Sequence, residues 1–337
     1  MVGTALRGSS WMGRHAWPFA LAWLCASSAF AQAGPFFEPQ ALPERGYELR
    51  LSLDYHAAVR DDFSRPIFLI AQPLSELSAH ELRLSIDLRL SITRALAMQV
   101  VLPFAYRSVT ALTAGLVVSR TETLPPRELS LSGSGLADPL LALAYSFFVA
   151  PPWRAYAELG ASIPLDDNPG STILATRVPS GAGQHVLFAG VGASLAKPIA
   201  LSLAYRFEYS PGEHATYLIR RAGPQVFTSG ALAPFARNRF RAAAGVPLFG
   251  PVSFWLFPEW TISQVPLLVE LGATRRVQLE TWTHELVLGG ALRLTLGAHR
   301  LELRGSLPLL PSQDLDPFFP IVVPARGLGI AWHIVGS

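Results

Sequence analysis

Charged side chains that alternate with apolar ones are the residues of this chain whose types and spacing point to chemistry. They are Arg50, Asp54, Arg83, Asp87, Arg89, Arg154, Glu158, Arg206, Glu208, Arg239, Arg241, Glu259, Glu285, Arg293, Glu302 and Arg304. Residues two apart on a strand share a face, so on strands these acids and bases occupy one surface. A dry core does not hold so many ions; water, or pairing across neighbouring strands, does. Registers extrapolated from short connections set Arg241 near Glu259, Arg293 near Glu302 and Arg50 near Asp87. Each facing pair contributes about 0.2–1 kcal/mol. Two roles stay open, a selectivity constriction and a structural ion-pair network. Near parity of sign favours the network, because it confers no ion preference.

Other chemistry finds little support. Of eight histidines, His15 falls in the leader and the rest scatter over loops and separate strands. Neither HExxH nor GxSxG occurs, so no metal, cofactor or catalytic residue is expected. A membrane-embedded lipid hydrolase needs a lipid-facing serine with a histidine partner, and no His-x-Ser pair lies on one strand face. It is kept as the weakest alternative, because residues paired between strands escape that test. The glycines at Gly133–Gly135 and Gly181–Gly183 lack the helix and lysine of a phosphate cradle and read as loop ends entering strands.

The positioning elements follow from period two. From Leu82 to Ile92 every even position is apolar and every odd one polar or charged. Tyr47, Leu49, Leu51, Leu53 and Tyr55 repeat the pattern, which is that of a strand. Further candidates are 96–107, 138–148, 153–165, 185–196, 199–210, 238–248, 252–263, 282–296, 300–309 and 326–335. The resulting twelve strands have about the length that crosses a bilayer at a tilt. The uncharged stretches 178–196 and 242–258 are not helices: the first is laced with glycine, and the second carries Pro247 and the Gly250-Pro251 pair.

Connections alternate between short and long. Short ones fall near Thr93–Ala95, Val149–Pro152, Lys197–Pro198, Phe249–Pro251 and Gly297–His299. Long ones cover 57–80, 108–135, 166–183, 211–236, 264–281 and 310–324. Short periplasmic turns and long outer loops have this asymmetry. With both ends of the chain on the periplasmic side the strand number is even, twelve within a range of ten to fourteen. Outward-pointing Tyr55, Tyr106, Tyr209, Trp260 and Trp282 fall at loop ends, and Tyr145, Phe147, Trp153 and Trp332 at turn ends. Two aromatic girdles at the headgroup levels result. Pro103, Pro164, Pro258 and Pro308 lie within candidate strands, where each is expected to mark a bulge, an edge or a strand end.

Composition agrees. The chain has 337 residues, 50% hydrophobic and 15% charged, against about 25% charged in an ordinary soluble domain. Arg7 and Arg14, the apolar run Pro18–Ala26 and the small residues Ala29 and Ala31 read as a secretory signal peptide over 1–31. The single cysteine, Cys25, lies inside it, which leaves the rest of the chain without disulfides or a thiolate site. Removing the leader takes two arginines and no acid, leaving a net charge of +1 and no argument for nucleic acid. Residues 32–337 form a single domain.

The stretches GSGLADPLLALAYSFF (133–148), AELGASIPLDD (157–167) and the glycine-rich 178–210 resemble the phenol-degradation MetA-pathway outer-membrane family. The resemblance covers about 80 residues. Gly135-Leu136-Ala137-Asp138 stands for that family's Gly-x-Gly-Asp strand entry, and Ile163-Pro164-Leu165-Asp166 stands for its Leu-Pro-x-Gly-Asp strand exit, without the glycine. The resemblance implies passive channels, some linked to uptake of hydrophobic or aromatic compounds. The expectation is an all-β transmembrane antiparallel up-and-down barrel in the bacterial outer membrane, with lipid outside and a small solute as partner. A non-conducting barrel is the alternative, its outer loops binding a partner through Arg220, Arg221, Arg275 and Arg276. The oligomeric state is left open.

Overall fold

The computed structural model describes residues 46–60, 68–69, 72–113, 116–117, 123–126, 128–150, 152–165, 185–195, 199–211, 213–219, 226–232, 235–270, 276–310 and 326–336. The expected leader lies outside them, as do Arg220, Arg221, Arg275 and the connections 166–183 and 311–325. Twelve strands form the wall: β1 (Tyr47–Arg60), β2 (Gln72–Ser91), β3 (Leu96–Thr113), β4 (Leu140–Ala150), β5 (Trp153–Ser162), β6 (Val186–Leu195), β7 (Ala200–Ser210), β8 (Phe235–Phe249), β9 (Val252–Glu270), β10 (Arg276–Leu296), β11 (His299–Leu310) and β12 (Arg326–Gly336). Each pairs antiparallel with its chain neighbours, and β12 pairs with β1 from Tyr47↔Gly336 to Ala57↔Arg326, which closes the cylinder. Closure leaves no unpaired sheet edge for lipid to meet. Gly250 and Gly297 take φ of +51° and +59° in the turns after β8 and β10, a conformation open to glycine at little cost.

Burial shows which solvent each face meets. Leu159 and Leu203 are 64% and 67% exposed, whereas Arg206 and Glu208 are 0% exposed. Such an inversion is stable only when hydrocarbon bathes the outside. The girdle residues Tyr55, Tyr106, Tyr209 and Trp260 are exposed near the outer end, and Tyr145, Phe147, Trp153 and Trp332 near the turns. Trp282 occupies β10 opposite Gln264; its side chain lies outside the description.

Several expected outer loops are strand instead. β1 and β2 stay paired to Arg60↔Leu77, β2 and β3 to Leu74↔Thr113, and β9 and β10 to Glu270↔Arg276. Within 211–236, Glu213–Ile219 and Val226–Leu232 pair as a hairpin that joins β9 at Ala231↔Leu268 and Leu232↔Leu267. Above the bilayer both faces of a strand meet water, so the apolar alternation that reveals a strand is missing there.

Glu128–Leu136 also corrects the expectation, since Gly133 and Gly135 sit inside a strand opposite Arg107 and Ala105. This segment pairs with the outer half of β3, and β4 pairs with the inner half. Pro103 marks the change of partner, and its carbonyl accepts the Ala137 N–H at 2.8 Å. Pro308 sits at a register shift against Leu286/Val287. At Pro258 the ladder to β8 is interrupted between Arg241↔Glu259 and Ala244↔Leu256 without a shift. Pro164 lies beyond the end of β5.

Candidate lumen site

The inward face of the wall carries two kinds of surface. From β10 through β12 to β2 it is ionic. Arg293 donates to Glu302 at 2.6 Å, and Arg304 holds Asp54 with two hydrogen bonds of 2.9 and 2.7 Å. Glu48 receives Arg300 at 2.6 Å and His333 at 2.8 Å, with Arg89 at 3.6 Å. Arg89 reaches Asp87 at 3.4 Å, and Gln99 donates to both oxygens of Asp87 at 2.9 Å. Arg83 and Arg107 hold Glu81 at 2.7 and 2.5 Å.

A second ionic group spans β5 to β9. Arg206 is bidentate on Glu158 at 2.8 and 3.0 Å. Arg239 bridges Glu208 at 3.0 Å and Glu259 at 2.7 Å, and Arg237 adds to Glu208 at 3.2 Å. Bidentate guanidinium–carboxylate geometry is among the stronger hydrogen-bonded forms. Arg206 lies 4.4 Å over the Phe188 ring, and Arg293 lies 4.2 Å over Trp255. These are cation–π distances.

Two ion pairs reach across an intervening strand because that strand offers a glycine. Arg304, Gly329 and Asp54 stand in one row across β11, β12 and β1. Glu158, Gly190 and Arg206 stand in another across β5, β6 and β7. A β-carbon on Gly190 would meet Glu158 Oε1 at 2.7 Å, and one on Gly329 would run into Asp54. Any side chain there would part the ions.

Beside these ions, part of the inner face of β3 to β6 is apolar. Val101, Leu140, Ala142, Val186 and Phe188 form one buried cluster, and Ala144 and Tyr156 form another. Here glycines seat aromatic rings. Phe188 lies over Gly160 and Tyr156 over Gly192. A third inward cluster joins Ala243, Phe257 and Ala291 with Trp255.

The three anticipated registers are present: Arg241↔Glu259, Arg293↔Glu302 and Arg50↔Asp87. Contact follows register for Arg293 and Glu302. Glu259 takes Arg239, one step along the same face, while Arg241 stacks 4.8 Å over Phe257. Asp87 takes Gln99 and Arg89. Arg154 lies opposite Ser194, without a carboxylate partner among the described residues, and Glu285 lies opposite Thr261.

Residues missed by the sequence reading are Glu48, Glu81, Gln99, Arg107, Arg237, Arg300 and His333. Glu48 shares the alternating face with Arg50, and Arg300 shares it with Glu302, so parity alone would have found both. His333 was passed over as an isolated histidine; parity with Gly329 and Ala331 turns it inward. Glu81 and Arg107 lie at the boundary where the apolar pattern fades.

No family model matches the chain, and no curated protein matches it. Among solved structures, the COG4313 outer membrane channel from Pseudomonas putida F1 superposes with a TM-score of 0.51 at 9% identity, over 89% of this chain and 100% of that one. The NanC porin gives 0.41 at 8% identity, over 84% and 98%. The CymD monoaromatic hydrocarbon channel gives 0.37 at 9%, over 87% and 88%. The first likeness shows the fold. The chain folds as a twelve-stranded barrel of the outer-membrane type.

Proposed function

We propose that the protein is a passive outer-membrane channel for small solutes, delivered to that membrane by its leader. The observation that carries this reading is the course of the ion pairs. Each pair described above lies within one strand or joins strands that are adjacent or one apart, so the ions lie along the wall. Charges drawn across the axis would plug the barrel; charges paired along the wall brace it and leave the axis to solute. A like-folded protein that is itself an outer membrane channel supports the reading. The resemblance to the MetA-pathway family and the aromatic inner surface of β5 and β6 lean the solute class toward aromatic compounds.

The test is conductance and solute permeation through the folded protein in planar bilayers and liposomes, with a panel of aromatic and aliphatic solutes. Folded protein that passes neither ions nor solutes overturns the proposal. A second reading, a non-conducting barrel whose outer elements bind a partner, draws on the hairpin that docks on β9. Deleting 211–236 separates the two. Increased conductance marks a gate, and lost surface binding with unchanged conductance marks a binding element.

A further inference from the structure

Matching each inward carboxylate with a guanidinium leaves a remainder of one sign. In the arc from β10 through β12 to β3, Glu302 has Arg293, Asp54 has Arg304, Glu48 has Arg300 and Asp87 has Arg89, while Glu81 and Asp138 share Arg107 and Arg83. Arg50 is left over. Across β5 to β10, Glu158 has Arg206, and Glu208, Glu259 and Glu285 lie among Arg237, Arg239 and Arg241. Arg154 is left over. The remainder among the described residues is thus two guanidiniums, one in each ionic group.

The contacts single out the same two residues. Arg50 stands opposite Asp87, which Gln99 and Arg89 occupy, and Arg154 stands opposite Ser194. Neither makes an ion pair or a hydrogen bond among the described residues, and Arg50 Nε is buried without a partner there. Both are half-buried on the inward face, whereas the paired Arg206, Arg239 and Arg304 are 0%, 3% and 2% exposed. Arg50 lies three residues from the start of β1 and Arg154 follows the first residue of β5, so both sit toward the periplasmic end. A paired acid and base act at a distance as a dipole, whose field fades faster than that of a lone charge. The field along the axis is therefore governed by the unpaired pair of arginines.

We propose that Arg50 and Arg154 make the lumen selective for small anions over cations, while the paired ions brace the wall. The inference rests on the channel reading, which makes the lumen a solute path, and adds the charge class of the solute. One fixed charge about 8 Å from the path at physiological salt shifts the anion-to-cation ratio about twofold, so two shift it about fourfold. The test is the zero-current potential of the full chain in planar bilayers across a potassium chloride gradient, at about pH 8, above the ordinary histidine range. Wild type is expected to pass chloride over potassium about fourfold. Arg50→Gln and Arg154→Gln each lower that ratio about twofold, and the double variant shows no preference. Arg50→Lys, which restores the charge without the planar fork, rescues the ratio that Arg50→Gln loses. None of these changes strands a carboxylate, and a thermal melt certifies that each variant is folded. Equal passage of both ions by wild type, a preference for potassium, an unchanged ratio in the double variant, or a lysine variant that behaves as the glutamine one each overturns the proposal. Conductance without preference leaves the channel reading standing, whereas a folded barrel that passes no ion overturns both.

Discussion

The ionic arc of β11, β12, β1 and β2 and the apolar patches on β3 to β6 use the same backbone device for opposite ends. In each, a glycine in one strand lets a neighbour's side chain lie flat on the wall. Over Gly329 that side chain is Asp54, reaching Arg304; over Gly160 and Gly192 it is Phe188 and Tyr156. The glycine provides the space, and the flanking residue decides whether the wall there is charged or greasy. A tightly filled inner wall can therefore present two different surfaces without any change in strand geometry.

The sharpest way to break this contrast is Arg304→Ala. It strands Asp54 in the wall, and removing one partner of a buried pair costs about 3–5 kcal/mol, to be read from urea unfolding of the barrel in lipid vesicles. A loss below about 1 kcal/mol, the range of an exposed pair, would show that the ionic arc is solvated, unlike its apolar counterpart. On the opposite arc Phe188→Ala empties a buried ring site and lowers stability by about 3 kcal/mol in the same assay. An unchanged midpoint there would mean that the ring does not pack.

Gly190→Ala sharpens the role of the glycines. The added methyl group intrudes on Glu158, at 2.7 Å from its Oε1, and overpacking of this kind costs about 1–3 kcal/mol. A crystal structure of the variant should show the Glu158–Arg206 pair parted. Tyr55→Phe is the smallest change and lies outside both arcs. It removes the 2.8 Å hydrogen bond between the Tyr55 hydroxyl and His80 Nδ1 on the outer surface, worth about 0.5–1.5 kcal/mol. Its melting temperature should fall slightly, with no change in conductance. An altered conductance would tie the outer girdle to the lumen.

Particular residues show how far the sequence could be read. Leu82 to Ile92 announced β2 because one face meets lipid and the other the lumen. The same strand continues to Gln72, where water lies on both sides and the pattern disappears. Arg293 and Glu302 flank a short turn, so counting residues was enough to pair them. Arg304 and Asp54 are 250 residues apart in the chain and meet only because β12 closes on β1 with Gly329 between them. Glu259 was placed opposite Arg241 correctly, but a long guanidinium stem reaches diagonally, and Arg239 takes the bond.

Strand number, inside-out polarity and the aromatic girdles were thus determined by the sequence alone, since each is a local repeat imposed by a two-sided environment. Which ions touch, and which glycines carry charge and which carry rings, were decided by the tertiary structure. Those contacts depend on the closure and register of the whole cylinder, and no stretch of a single strand contains that information.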